Sequence, residues 1–134
     1  MIKLIIGQPG MGKTKEMIDH ANAAVKTSKG SIVFIGESDE CILEIHHNIR
    51  HINVSEFPIN SSDEFIAFLH GLMSTNYDIE SIYLDGILNI FILTPEEICG
   101  WLEKVKMIAD RFNIHFEISL SMNGSIPDCF SPYM

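Results

Sequence analysis

The sequence predicts a three-layer α/β domain built on a mostly parallel central sheet of four to five strands. Three observations predict it. Short, largely apolar runs at residues 2–6, 31–36 and 81–85 are as expected of parallel strands covered on both faces, and residues 114–120 supply a further strand. Stretches with apolar residues three and four apart lie between them, the pattern of helices that bury one side. Strand, helix, strand is the unit from which parallel sheets are assembled. A chain of 134 residues fills one such core, so residues 1–134 are expected to form a single domain.

Taken in order, the first strand at residues 2–6 runs into the stretch Gly7-Gln8-Pro9-Gly10-Met11-Gly12-Lys13-Thr14. The helix after it carries Met17, Ile18, Ala21, Ala24 and Val25 on one face and runs to about Lys26, with Lys29-Gly30 as its stop. The second strand occupies residues 31–36. Residues 38–53 suit either a short helix and a strand or a hairpin; an ordered connection ending in a short edge strand near residues 52–54 is the expectation. Ser61 and Glu64 read as a capping box for a helix to about Thr75, burying Phe65, Phe68, Leu69, Leu72 and Met73. The third strand at residues 81–85 ends in a carboxylate, and the apolar segment 87–93 after it fits no element well. Thr94-Pro95-Glu96-Glu97 then opens a helix with cap, first-turn proline and acidic residues in agreement, and its apolar face runs from Ile98 to Phe112. Residues 114–120 form the last long strand. The proline-broken tail reads as coil, closing in a short strand at Tyr133-Met134.

Composition narrows the function classes. Nine basic residues against eighteen acidic ones give a formal net charge of −9, which argues against general attraction to nucleic acid or anionic lipid. No apolar run reaches the length of a membrane span, and the N-terminal run is too short for a signal peptide, so no membrane insertion and a cytoplasmic location are expected. Cys41, Cys99 and Cys129 are odd in number and lack C-x-x-C spacing. They point away from a disulfide framework or a zinc site and read as spectators. His46, His47 and His51 are close in sequence, but no further ligand accompanies them, and they read as exposed polar side chains rather than a metal site.

The stretch from Gly7 to Thr14 fits the pattern G-x-x-x-x-G-K-[ST] between a buried strand and a helix, which is the context a phosphate-binding loop requires. At average residue usage its four fixed positions arise by chance in roughly one chain of this length in two hundred. Gly7, Gly10 and Gly12 free the backbone to turn several N–H groups around an anion at a helix N-terminus, with Gln8, Pro9 and Met11 completing the loop. Lys13 would set its ammonium on the β- and γ-phosphates, and the Thr14 hydroxyl would ligate Mg²⁺. In parallel α/β sheets the ligand crevice lies at the carboxyl ends of the strands. Asp85 stands there, at the end of an apolar strand, and would hold the same Mg²⁺ opposite Thr14.

With these two motifs the chain resembles the P-loop NTPase superfamily, residues 7–14 as its Walker A and residues 82–85 as its Walker B. The resemblance implies a P-loop NTPase fold that binds ATP with Mg²⁺. In many RecA-like members a glutamate follows the Walker B aspartate and activates water; here that residue is Gly86. Other RecA-like members carry the glutamate at the end of the strand neighbouring Walker B, and Glu37 stands in the corresponding place, where it would orient or deprotonate water. A polar γ-phosphate sensor on a later strand would be Ser119, Ser121 or Asn123, with Ser121 the choice. Arg50 and Arg111 are the only arginines, and of these Arg50 alone suits a finger acting in trans. The chain lacks an N-K-x-D guanine signature and an arginine-bearing kinase lid. It is also similar to small stand-alone bacterial P-loop proteins labelled as twitching-motility ATPases, without the added domain and the acidic and histidine boxes of pilus-retraction motors. The expected activity is slow or partner-stimulated ATP hydrolysis, against a nucleotide switch with little hydrolysis or a small-molecule kinase; a protein partner or homo-oligomer is left open.

Overall fold

Helices form where an apolar face coincides with a start signal. The computed structural model describes residues 1–10 and 12–134, so the loop position assigned to Met11 lies outside the described residues. In α3 (Pro95–Phe112) the Thr94 hydroxyl accepts from the Glu97 N–H at 3.2 Å and the Glu97 carboxylate accepts from the Thr94 N–H at 3.0 Å, the reciprocal cap that its sequence spells. At α2 (Ser62–Thr75) the Ser61 hydroxyl accepts from Glu64, but the Glu64 carboxylate reaches back to Asn60, so only half of the expected box forms. In contrast, α1 (Lys13–Ala24) follows Gly12 with no side-chain cap. Among the described residues no side chain caps its first N–H groups.

The strands β1 (Ile2–Gly7), β2 (Ser31–Gly36), β3 (Ile49–Asn53), β4 (Ile79–Leu84) and β5 (His115–Ser121) form one sheet in the order β1-β5-β4-β2-β3. Every neighbouring pair is parallel. Parallel pairing requires each connection to cross back over the sheet, which puts helices on its faces. One face packs Ile5, Ile32, Phe34, Ile49 and Tyr83 against Met17, Ile18 and Ala21 of α1. On the other face Leu4, Val33, Ile35, Ile82, Leu84, Phe116 and Ile118 meet Phe65 and Leu69 of α2 and Trp101, Leu102 and Val105 of α3. The result is a three-layer α/β fold whose strand carboxyl ends share one rim. No helix among the described residues is long and apolar enough to cross a membrane.

Several expectations change. The edge strand β3, expected near residues 52–54, begins earlier, at Ile49, and pairs with β2 through Ile52↔Ile35. That places His51 inside the sheet, its side chain 7% exposed and stacked against Phe34, where an exposed histidine was expected. Cys99 and Cys129 are joined in a disulfide, with their Cα atoms 6.1 Å apart, so they are not spectators; Cys41 is free. The bond fastens the first turns of α3 to the tail, which forms a 3-10 turn at Asp128–Tyr133 in place of the expected strand. Phe130 in that turn is fully buried, and its burial accounts for a helical turn that keeps the ring against the core.

A row of residues crosses the α1-facing side of the sheet in register: Lys3, Glu117, Tyr83, Phe34 and His51. Glu117 is only 3% exposed, and its carboxylate lies 2.7 Å from His20 Nδ1 on α1. Burial first, and the nearby Glu117 carboxylate second, push the Tyr83 phenol up to about 12. An unfolded tyrosine ionises near about pH 10. Between those values the unfolded chain binds fewer protons than the folded one, so stability present below about pH 10 is lost as pH rises toward 12. Denaturation across this window should show that loss in the native sequence and a shallower one in Tyr83→Phe; identical slopes would contradict the assignment.

Candidate functional site

The strand order decides which side chains meet. The carboxyl ends of β1, β5, β4 and β2 stand side by side, and the segments leaving them carry the glycine-rich loop, Ser121, Asp85 and Glu37. Gly7 at the end of β1 is paired with Ser121 at the end of β5. The loop turns on Gly10 and Gly12, with φ of 82° and 80°, backbone that side chains with a Cβ rarely adopt. Among the described residues, and apart from its chain neighbours, no atom comes within 4 Å of where a Cβ would stand on either glycine. Conformation rather than crowding therefore favours glycine there, and the side facing the cleft stays open.

Asp85 is the junction of the site. Its Oδ2 accepts a hydrogen bond from the Thr14 hydroxyl at 2.9 Å, and its Oδ1 accepts one from the Ser119 hydroxyl at 2.9 Å. The backbone N–H of Asp85 donates to the Ile35 carbonyl on β2 at 2.9 Å. Ser119 also accepts from the Gly86 N–H at 3.0 Å and is 4% exposed. Thr14 of α1 and Ser119 of β5 are thereby bound through one carboxylate, and β2 through the backbone N–H of the same residue. Thr14, Asp85 and Ser119 present oxygen atoms only, the donor set that suits a hard cation such as Mg²⁺ rather than zinc.

Lys13 leans back over the loop, its Nζ donating to the carbonyls of Gln8 at 2.7 Å and Gly7 at 3.3 Å. Glu37 reaches across from β2 to Gly86. Gly86 has φ of 70°, and a Cβ built on it would come 2.9 Å from Glu37 Oε1 and 3.5 Å from Asn89 Nδ2. The Glu37 carboxylate thus occupies the space that a side chain at position 86 would need. Pro9, Gly10, Gly12, Lys13, Thr14 and Ser121 belong to the same cleft of about 510 Å³ as Glu37, Asp85, Gly86 and Asn89.

Of the sequence-predicted residues, Gly7, Gln8, Pro9, Gly10, Gly12, Lys13 and Thr14 lie along this rim with Asp85, Glu37 and Ser121. Ser121 is exposed, and it is Ser119, two residues earlier on the same face of β5, that hydrogen-bonds Asp85. Asn89 was not anticipated; it ends a 3-10 turn at Ile87–Asn89 in the segment whose pattern fitted no element. Arg50 donates to the Asn76 amide oxygen at 3.0 Å, at the far end of α2 from the cleft rim. The connection after Glu37 is held to α1 by Asn22, which donates to the Glu44 carbonyl at 2.9 Å and accepts from the His46 N–H at 2.8 Å. Burial, and then the Asp85 charge, push the Cys41 thiol above its ordinary range, which keeps it protonated and a poor nucleophile or metal ligand. Among the described residues no group of three or more His, Cys, Asp or Glu is arranged to hold a metal by itself.

Replacing Ser119 by alanine removes one donor from Asp85 and the acceptor of the Gly86 N–H. A cost of about 1–3 kcal/mol in chemical denaturation is expected, against less than about 0.5 kcal/mol for Ser121→Ala at an exposed position; equal costs would contradict the ranking. No family model matches the chain and no curated protein matches it.

Proposed function

We propose that the chain binds ATP with Mg²⁺ in the cleft above the glycine-rich loop and hydrolyses it slowly, or faster with a partner, as a RecA-like P-loop NTPase. The observation that carries the reading is the 2.9 Å hydrogen bond from the Thr14 hydroxyl to the Asp85 carboxylate. These two groups come from positions 71 residues apart, and phosphate-loop chemistry requires a hydroxyl and a carboxylate side by side at the metal. The uncapped start of α1 and the positive φ at Gly10 and Gly12 support the anion-binding part.

The chain's own groups then have distinct tasks. Backbone N–H groups of the loop bind phosphate oxygens, and Lys13 exchanges its two carbonyl acceptors for the more strongly accepting β- and γ-phosphates. A bound Mg²⁺, held by Thr14 and Asp85, supplies charge that offsets the triphosphate. Glu37 accepts a hydrogen bond from the attacking water and orients it, a task that its position over Gly86 favours. Hydrolysis is preferred to transfer onto an organic acceptor for a specific reason. The recess bounded by Thr14, Glu37, Ser38, Cys41 and Asp85 has a volume of about 100 Å³. That is room for a few waters and is well below the about 300 Å³ at which small-molecule sites begin.

Thermal stabilisation and phosphate release test the two halves separately. At ATP about one hundred times its dissociation constant, the native chain should gain about 2.7 kcal/mol of stability, and Lys13→Ala should lose most of that gain. Glu37→Gln should retain stabilisation by ATP while its phosphate release falls by about 10²–10³. Unchanged release in Glu37→Gln overturns the role of Glu37, and no response to ATP in the native chain overturns the reading as a whole.

A further inference from the structure

Two exposed features of the chain match one another; of the first, Glu44 and Glu40 also border the cleft and its recess, whereas Ile42 and Leu43 border neither. The first is the connection from β2 to β3. It carries Glu40 and Glu44 around Ile42 and Leu43, while the Asp39 carboxylate lies 3.7 Å from His51 of the same molecule, and Leu43 is 95% exposed. This is a held segment: both ends of the Asn22 amide bond its backbone, and Ile45 is buried beneath it. A leucine kept in water on a fastened loop loses the free energy that burial would return, about 1.5–3 kcal/mol.

The second feature is a groove of about 300 Å³ between α2 and α3, formed by Ile66 and Met107 with His70, Lys104 and Arg111 around them. Met107 is 72% exposed. Lys104 donates to Asp63 at 2.8 Å, whereas Arg111 lies over the Phe112 ring and has no carboxylate partner among the described residues. A basic, apolar groove is unusual on a chain with a formal net charge of −9. Its complement is an apolar side chain flanked by carboxylates, and the 39–44 connection displays that combination.

One molecule cannot satisfy both features by itself. The connection packs with α1, as Cys41 and Ile45 belong to that side of the sheet, while α2 and α3 cover the opposite face. We propose that the 39–44 connection of one copy docks in the α2–α3 groove of the next, Leu43 entering beside Ile66 and Met107 while Glu40 and Glu44 face Lys104, Arg111 and His70. The contact joins two different patches, so it is head-to-tail and leaves one loop and one groove free for further copies. It does not depend on the nucleotide reading.

Sedimentation without nucleotide tests this. The native chain should gain mass with rising concentration and lose it with added salt, which screens the charged rim. Leu43→Asp and Met107→Asp should each weaken self-association by about tenfold or more. Both positions are exposed, so both variants should melt with the native chain; Arg111→Glu serves as the groove variant if Met107→Asp melts early. The decisive sample is the equimolar mixture of a loop variant and a groove variant, in which one intact loop and one intact groove remain. It should form a two-chain complex and nothing larger. A native chain that stays monomeric, a variant that assembles as the native chain does, or a mixture without the two-chain complex would overturn the proposal.

Discussion

The carboxylate of Asp85 is the constraint on which the rest of the cleft depends. It accepts one hydroxyl from α1 and one from β5, while its backbone N–H is tied to β2. A charged acceptor with two hydroxyl donors makes stronger hydrogen bonds than neutral pairs do. Their geometry fixes where α1 starts relative to the sheet, and therefore where the glycine-rich loop opens. Ser119 extends the same network to the Gly86 N–H. The αL turn at Gly86 in turn leaves space for Glu37. One carboxylate thus organises both the side of the cleft that carries the glycine-rich loop and the side that carries Glu37.

Parallel topology makes that arrangement possible. Because β5 lies between β1 and β4, and β2 lies beyond β4, segments far apart in sequence leave the sheet next to one another on one rim. The two helical layers serve different ends. Those of α2 and α3 bury aromatic and aliphatic residues against one face, with Phe65 in contact range of Phe68, Phe91 and Trp101. Under α1 the packing is mixed, with the Glu117–His20 pair and Tyr83 beside apolar residues. The more polar layer is the one that carries the loop.

Much of this was legible because it rests on local signals. Apolar runs marked four of the five strands, and the Thr94 to Glu97 cap marked α3 to the residue. The loop motif and Asp85 were legible because a glycine pattern and a strand-ending carboxylate are local too. Ser119 was harder to rank against Ser121. What distinguishes them is inter-strand register: Leu84 is level with Ile118, which brings the next residues, Asp85 and Ser119, together. Asn89 gave no periodic signal because a single 3-10 turn has none. His51 was misread because Arg50 and His51 interrupt the apolar pattern of β3, and burial there comes from pairing with β2. The Cys99–Cys129 bond joins residues 30 positions apart, a proximity that only the packed tail creates.

Calorimetric titration with a non-hydrolysable ATP analogue tests the proposal that Thr14 and Asp85 form a metal-dependent triphosphate site. With Mg²⁺ present the native chain should bind the analogue, and removing Mg²⁺ should weaken binding by at least about tenfold, or about 1.4 kcal/mol. In Asp85→Ala that metal dependence should disappear. Equal affinity with and without Mg²⁺ in the native chain, or an undiminished metal effect in Asp85→Ala, would contradict it.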